Sequence, residues 1–281
     1  MKNANNLRKK LTILAGAGAI TALALGGLTA CSTGSDADYV AQTKFDSAPA
    51  NMQSGGAVFT STDAVVASEP LTQGADRVAV DPTTLKAPTQ VSVFVDFMCP
   101  ACGAFEQSFG DMLTEKLDAG EISMEITPMT FLNRMSQGTD YSTRAANLFA
   151  CTVSQQPEHA YEVHSSLFSS KVQPAENTKG LSNDELVKVA TRAGVEATQE
   201  FIDCAKTTPY AEFLDTNSDE VLNGAGVVQL ADGAKLLDQY GQPQADGPQR
   251  LMGTPLVLIN GEQWDYSVDP DLEKALAAAA K

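Results

Sequence analysis

The tetrapeptide Cys99-Pro100-Ala101-Cys102 constrains this chain more than any other feature. Ahead of it, residues 91–97 (VSVFVDF) form a β-branched and aromatic run that predicts a buried strand. Behind it, Phe105, Phe109, Met112, Leu113 and Leu117 recur at helical spacing, and Asp118-Ala119-Gly120 stops the helix. Pro100 then takes the first helical position, where its missing N–H costs nothing, and Cys99 becomes the N-cap. Unpaired backbone N–H groups and the helix dipole stabilise a thiolate there. A helix end supplies up to about 2 kcal/mol, enough to bring a thiol from about 8.5 to about 7. Ala101 adds no imidazole to lower it further. Cys102 lies one turn along the same face and closes a small ring onto Cys99, so one sulfur attacks and the other resolves the mixed disulfide.

The competing reading of Cys-x-x-Cys is half of a zinc site, which needs four Cys or His ligands. There is no second such motif, and the two histidines, His159 and His164, are spaced for different helix faces. The strand-to-helix setting and Pro100 favour redox chemistry, with no metal and no cofactor expected.

The remaining elements predict an α/β chain. Residues 121–131 alternate as a second strand. A helical stretch from about 138 to 240 follows, with helices expected at 141–154, 157–169, 183–193, 196–206 and 208–223. Residues 241–250 read as a loop, 255–259 as a strand, Asn260-Gly261 as a hairpin turn and 262–267 as the return strand. Asp269 and Pro270 open a last helix over residues 272–280. Residues 57–60 and 78–80 are candidate short edge strands.

The first thirty residues read as an address. Residues 1–10 are polar and basic, and residues 11–30 are uncharged. Leu28-Thr29-Ala30-Cys31 resembles the bacterial lipobox, which implies lipidation at Cys31 after removal of residues 1–30. The alternative is an uncleaved anchor, for which 20 uncharged residues are just long enough. Either way the rest of the chain is expected outside the cytoplasm, at the membrane, where disulfides persist. Residues 31–56 read as a flexible tether with a reach of about 28 Å. The compact domain is expected over 57–281. Beyond residue 30 there are 15 basic against 35 acidic residues, a balance of −20. Such a surface repels phosphate backbones and anionic lipid, which excludes nucleic acid as a partner and makes a lipid tether useful.

Phe94-Val95-Asp96-Phe97-Met98-Cys99-Pro100-Ala101-Cys102 resembles the active-site strand and turn of DsbA-like thiol–disulfide oxidoreductases, members of the thioredoxin superfamily. Met252-Gly253-Thr254-Pro255-Leu256 resembles the family's cis-proline loop, and Asn260-Gly261 the hairpin after it. The resemblance implies a thioredoxin fold split by a helical insertion. It also implies a cis Pro255 packed against the cysteine pair, with Thr254 backbone groups free to pair a substrate segment as an added strand. The implied activity is disulfide formation in secreted, cysteine-containing proteins, with reoxidation by a quinone-linked membrane partner. Thr254 before the proline leaves isomerase and reductase directions open. A non-catalytic binding lipoprotein on the same fold is the reading from another class. The family's buried acid six residues before the first cysteine is replaced by Val93; Asp96 is the nearer carboxylate, a candidate proton relay or merely a turn residue.

Cys151 and Cys204 fall in the helical insertion. In an oxidising compartment they are expected to pair, closing a loop worth roughly 4 kcal/mol, rather than to remain free thiols or form a second redox pair.

Overall fold

The computed structural model describes residues 47–280. The signal peptide expected over 1–30, the lipidation expected at Cys31 and the tether residues 31–46 lie outside the described residues. Among the described residues, six strands form one sheet: β1 (Ala57–Ser61), β2 (Ala64–Val65), β3 (Thr89–Val95), β4 (Ile122–Pro128), β5 (Leu256–Ile259) and β6 (Glu262–Gln263). The same residues form seven α-helices: α1 (Pro100–Asp118), α2 (Tyr141–Gln155), α3 (Ala160–Phe168), α4 (Asn183–Arg192), α5 (Gln199–Thr207), α6 (Ala211–Asn223) and α7 (Leu272–Ala279).

The strand order is β2-β1-β4-β3-β5-β6. Only β3 and β4 run parallel, joined by the α1 crossover; the other neighbours are antiparallel. The central strand β3 is buried on both faces, which is why its sequence is a continuous apolar run. Val91, Val93 and Val95 face the larger core with Met124, Ile126, Val257 and Ile259. Phe94 faces a second cluster with Leu256, Leu258, Val221 and Leu251. Phe94 pairs with Leu256, so the residues just before β5 lie beside the exit of β3. This register brings the Thr254–Pro255 bond to the cysteine motif.

Local signals explain most boundaries. Asn260 and Gly261 both have positive φ, 49° and 80°, as the tight hairpin between β5 and β6 requires. Ser182 and Glu185 form a reciprocal capping box at the start of α4. The last helix is capped by Asp271 rather than Asp269: the Asp271 carboxylate accepts from Lys274 N at 3.0 Å, while Asp269 bonds the Lys274 ammonium.

Several expectations are corrected. Residues 47–56, expected within the tether, are seated on the domain. Met52 is fully buried, Asn51 Nδ2 donates to Val153 O at 2.9 Å, and the Ser54 hydroxyl donates to buried Glu125 at 2.6 Å. Small polar residues here fill gaps in a core instead of solvating a linker. β1 is not an edge strand, because it lies between β4 and β2. Residues 78–80 form no strand; Asp81 caps a short 3₁₀ turn, Pro82–Thr84, directly after them. The insertion is helical to Asn223, and residues 224–240 are irregular. Gly224 in the left-handed region (φ 76°) ends α6, and the apolar residues beyond it, Val228, Leu230 and Leu236, fill the second cluster without a helical repeat.

Candidate active site

Cys99 is the N-cap of α1, with φ −74° and ψ 118°, and Pro100 opens the helix. The backbone is turned from strand to helix by Asp96, whose carbonyl accepts from Cys99 N at 2.9 Å. Both cysteines are free thiols. Cys99 is 8% exposed and Cys102 is fully buried. The Thr254–Pro255 peptide bond is cis, and the Cys99 thiol donates to the Thr254 carbonyl at 3.4 Å.

The two sulfurs are electrostatically unequal. A hydrogen bond from the Cys102 thiol does most to lower the Cys99 pKa, to about 6. Burial opposes this; the Thr254 side chain and the backbone of Cys102 and Ala101 reinforce it. The partner thiol, more than the helix end, thus accounts for a value below the 7 expected from the helix end alone. Burial, the hydrogen bond given to Cys99 and the Cys99 charge push the Cys102 thiol well above its ordinary range. The Thr254 hydroxyl is buried without a partner in the dithiol, and it is placed to steady a thiolate on either sulfur. Of the two thiols, Cys99 is therefore the more acidic and the more exposed.

Asp96 is fully buried. Its carboxylate accepts from Met98 N at 2.9 Å, Leu132 N at 3.0 Å and the Ser142 hydroxyl at 2.7 Å. It ties the turn before Cys99 to the segment after β4 and to the first turn of α2. Burial raises its pKa to about 6, the three donors pull the other way, and the Cys99 charge adds to the rise.

Beside the cysteines runs a cleft of about 480 Å³, walled by Ala101, Phe105, Phe109, Pro255, Trp264 and Tyr266. Trp264 is half-buried: its ring meets Phe109 edge-on and lines this cleft. Among the described residues, no group of three or more His, Cys, Asp or Glu side chains is placed to hold a metal ion.

Cys151 and Cys204 form a disulfide joining α2 to α5, with their Cα atoms 6.1 Å apart. Sequence reading missed two features near the motif. Gln173, in the segment after α3, donates from Nε2 to the Cys99 carbonyl at 2.8 Å. His164 and Glu106 form a buried pair at 2.9 Å within a cage that includes the rings of Phe97, Phe149 and Phe168. Both depend on contacts across dozens of residues.

Comparison with known proteins agrees with this geometry. A family model described as Thioredoxin matches residues 84–230. The serine/threonine-protein kinase PknE of Mycobacterium tuberculosis is 30% identical over 160 residues, which are 54% of this chain; the chain spans 28% of that protein's length. The solved structure of the reduced disulfide bond oxidoreductase DsbG from M. tuberculosis superposes with a TM-score of 0.52 at 26% identity, covering 73% of this chain and 89% of that one. Oxidised DsbA from the same organism gives a TM-score of 0.52 at 26% identity, covering 72% and 93%. The strand–Cys-x-x-Cys–helix unit and the helices that follow it fall within the family match, and the structural matches extend beyond it: the chain belongs to the thioredoxin family, in its DsbA-like group of thiol–disulfide oxidoreductases.

Proposed function

We propose that this protein is an extracytoplasmic thiol–disulfide oxidoreductase that introduces disulfides into secreted, cysteine-containing proteins. One observation carries the reading: an acidic, helix-capping Cys99 faces the carbonyl before a cis-proline at 3.4 Å, with a shielded Cys102 behind it.

The cycle begins with the Cys99–Cys102 disulfide. A substrate thiolate attacks Sγ of Cys99, the Cys99–Cys102 bond breaks, and the departing electron pair leaves on Cys102, which takes up a proton. The substrate is now joined to Cys99. Its second thiolate attacks the substrate sulfur of this mixed disulfide, and Cys99 departs as a thiolate. The low pKa of Cys99 makes it a good leaving group. The substrate leaves as a disulfide and the enzyme as a dithiol carrying two electrons. A quinone-linked membrane partner, by family resemblance, accepts them. Because the acidic Cys99 stabilises the dithiol form, it makes the pair more oxidising than one with ordinary thiols.

The cleft walled by Phe105, Phe109, Trp264 and Tyr266 is where an unfolded substrate segment lies, while Thr254 offers backbone groups for strand pairing. Asp96 serves as a positioning residue for the turn. The lipobox-like sequence ending at Cys31 supports a membrane tether, and the Cys151–Cys204 disulfide supports an oxidising compartment.

The test is covalent capture in cells that secrete the protein. Cys102→Ala, which cannot resolve, is expected to accumulate secreted proteins bound through Cys99. The double variant Cys99→Ser/Cys102→Ala is expected to capture none. Equal recovery with both variants would remove the enzyme reading, and a wild-type pair held mostly reduced in the cell would remove the oxidase direction.

A further inference from the structure

The Cys99 residue is held at both ends. Its sulfur meets the Thr254 carbonyl, and its own carbonyl accepts two hydrogen bonds, from Gly103 N at 3.2 Å and from Gln173 Nε2 at 2.8 Å. The first of these is the opening bond of α1. The second comes from outside the helix, from the helical insertion.

The approach of Gln173 needs a gap in the helix surface, and the sequence provides one. A Cβ built on Gly103 would overlap the Gln173 amide oxygen. Gly103 has ordinary helical φ, so no backbone conformation demands glycine there. Glycine is a poor helix former, and it stands in the first turn of the one helix that carries the chemistry. Gln173 is itself fixed from below. Its backbone N–H and that of Val172 both donate to Ser169 O at 2.9 Å, and Val172 packs against the main core.

We propose that Gln173 is a positioning residue of the active site, which pins the Cys99 carbonyl and so keeps the Cys99 sulfur over the free N–H groups at the start of α1. The inference rests on the reading of Cys99 as the nucleophile. The donor bears partial positive charge, and the only form of the pair with a negative charge nearby is the thiolate. Gln173 thus favours the dithiol state over the disulfide state and makes the pair a stronger oxidant. No step of the exchange passes through it.

The experiment measures the Cys99 pKa, by thiolate absorbance of the reduced protein, and the equilibrium constant with glutathione. Gln173→Met keeps the length and removes the donor. It is expected to raise the Cys99 pKa by about 0.5 to 1, from the usual strength of one hydrogen bond. At about pH 8, roughly two units above the Cys99 pKa, the equilibrium constant is then expected to fall about three- to tenfold, or about 15 to 30 mV for a two-electron couple. Gln173→Lys restores a donor and is expected to leave the pKa at or below the wild-type value. Gly103→Ala keeps Gln173 but expels it and is expected to match Gln173→Met, the double variant being no worse than either. The inference is overturned if Gln173→Met and Gln173→Lys give the wild-type pKa and potential, or shift them equally, whatever happens to thermal stability. Wild-type exchange with a dithiol peptide is the separate control. Its absence would defeat the reading of Cys99 itself, whereas its presence with indifferent Gln173 variants would defeat only the clamp.

Discussion

The protein holds two cysteine pairs with the same sulfur chemistry and opposite fates. Burial does not separate them: Cys99 and Cys102 are 8% and 0% exposed, Cys151 and Cys204 0% and 7%. Placement does. Cys99 stands at a helix start, where N–H groups are free and the thiolate is favoured. Cys151 and Cys204 lie inside α2 and α5, where the helix ladder engages the backbone N–H groups, and they are closed in a disulfide. The ring sizes differ too: the second pair closes a loop across 53 residues and staples the insertion, whereas the first spans a single helical turn. A disulfide is structural or exchangeable here according to what surrounds its sulfurs.

The comparison breaks first at the active pair. Cys99→Ser is expected to abolish disulfide exchange with a dithiol peptide. Cys151→Ala/Cys204→Ala is expected to leave its rate within a factor of about two, as sites without shared partners act independently. Stopped-flow peptide oxidation distinguishes them. Stability should show the reverse. Removing Cys151 and Cys204 is expected to cost about 2–5 kcal/mol in denaturant unfolding, and Cys99→Ser far less.

Asp96 sharpens the picture through pH. Its ordinary pKa of 3.8 rises to about 6 in the folded protein. Between those values the native state holds a proton that the unfolded chain has lost. Its contribution is therefore full below pH about 4 and disappears as pH rises through about 6, a change of about 3 kcal/mol for that one group. Urea unfolding of wild type and Asp96→Asn across this window is expected to show the fall in the wild type and a flatter line in the variant.

The smallest expected effect compares the two redox states of Cys99. Its folded pKa lies below the unfolded value, at about 6. The dithiol protein therefore gains stability over the disulfide protein above pH 6, by about 1.4 kcal/mol at pH 7, and loses the gain as pH falls through 6. Paired unfolding curves of reduced and oxidised protein read this directly.

Much of this was legible in residues close together in the chain. The strand, the Cys-Pro-x-Cys turn and α1 are encoded within residues 89–118, and Asn260-Gly261 marks its hairpin by the positive φ that both residues need. The cis bond before Pro255 was readable only through its likeness to a family, since Thr-Pro alone favours trans. What escaped depends on distant packing. Asp96 gains its three donors from residues 98, 132 and 142, and Gln173 reaches Cys99 across 74 residues. The buried segment 47–56 was hidden for the same reason: Ser54 and Asn51 read as solvated polar residues until Glu125 and the Val153 carbonyl supply their partners. The one local trace of these contacts is Gly103, a glycine inside a helix that has no need of its freedom.

The most direct test is a pH titration of thiolate absorbance in the fully reduced protein. A single thiolate is expected to appear with an apparent pKa of about 6 and to vanish in Cys99→Ser, with Cys102 staying protonated far into the alkaline range. A first thiolate that appears only at or above the free-cysteine value of about 8.5, or one that survives in Cys99→Ser, would contradict the account.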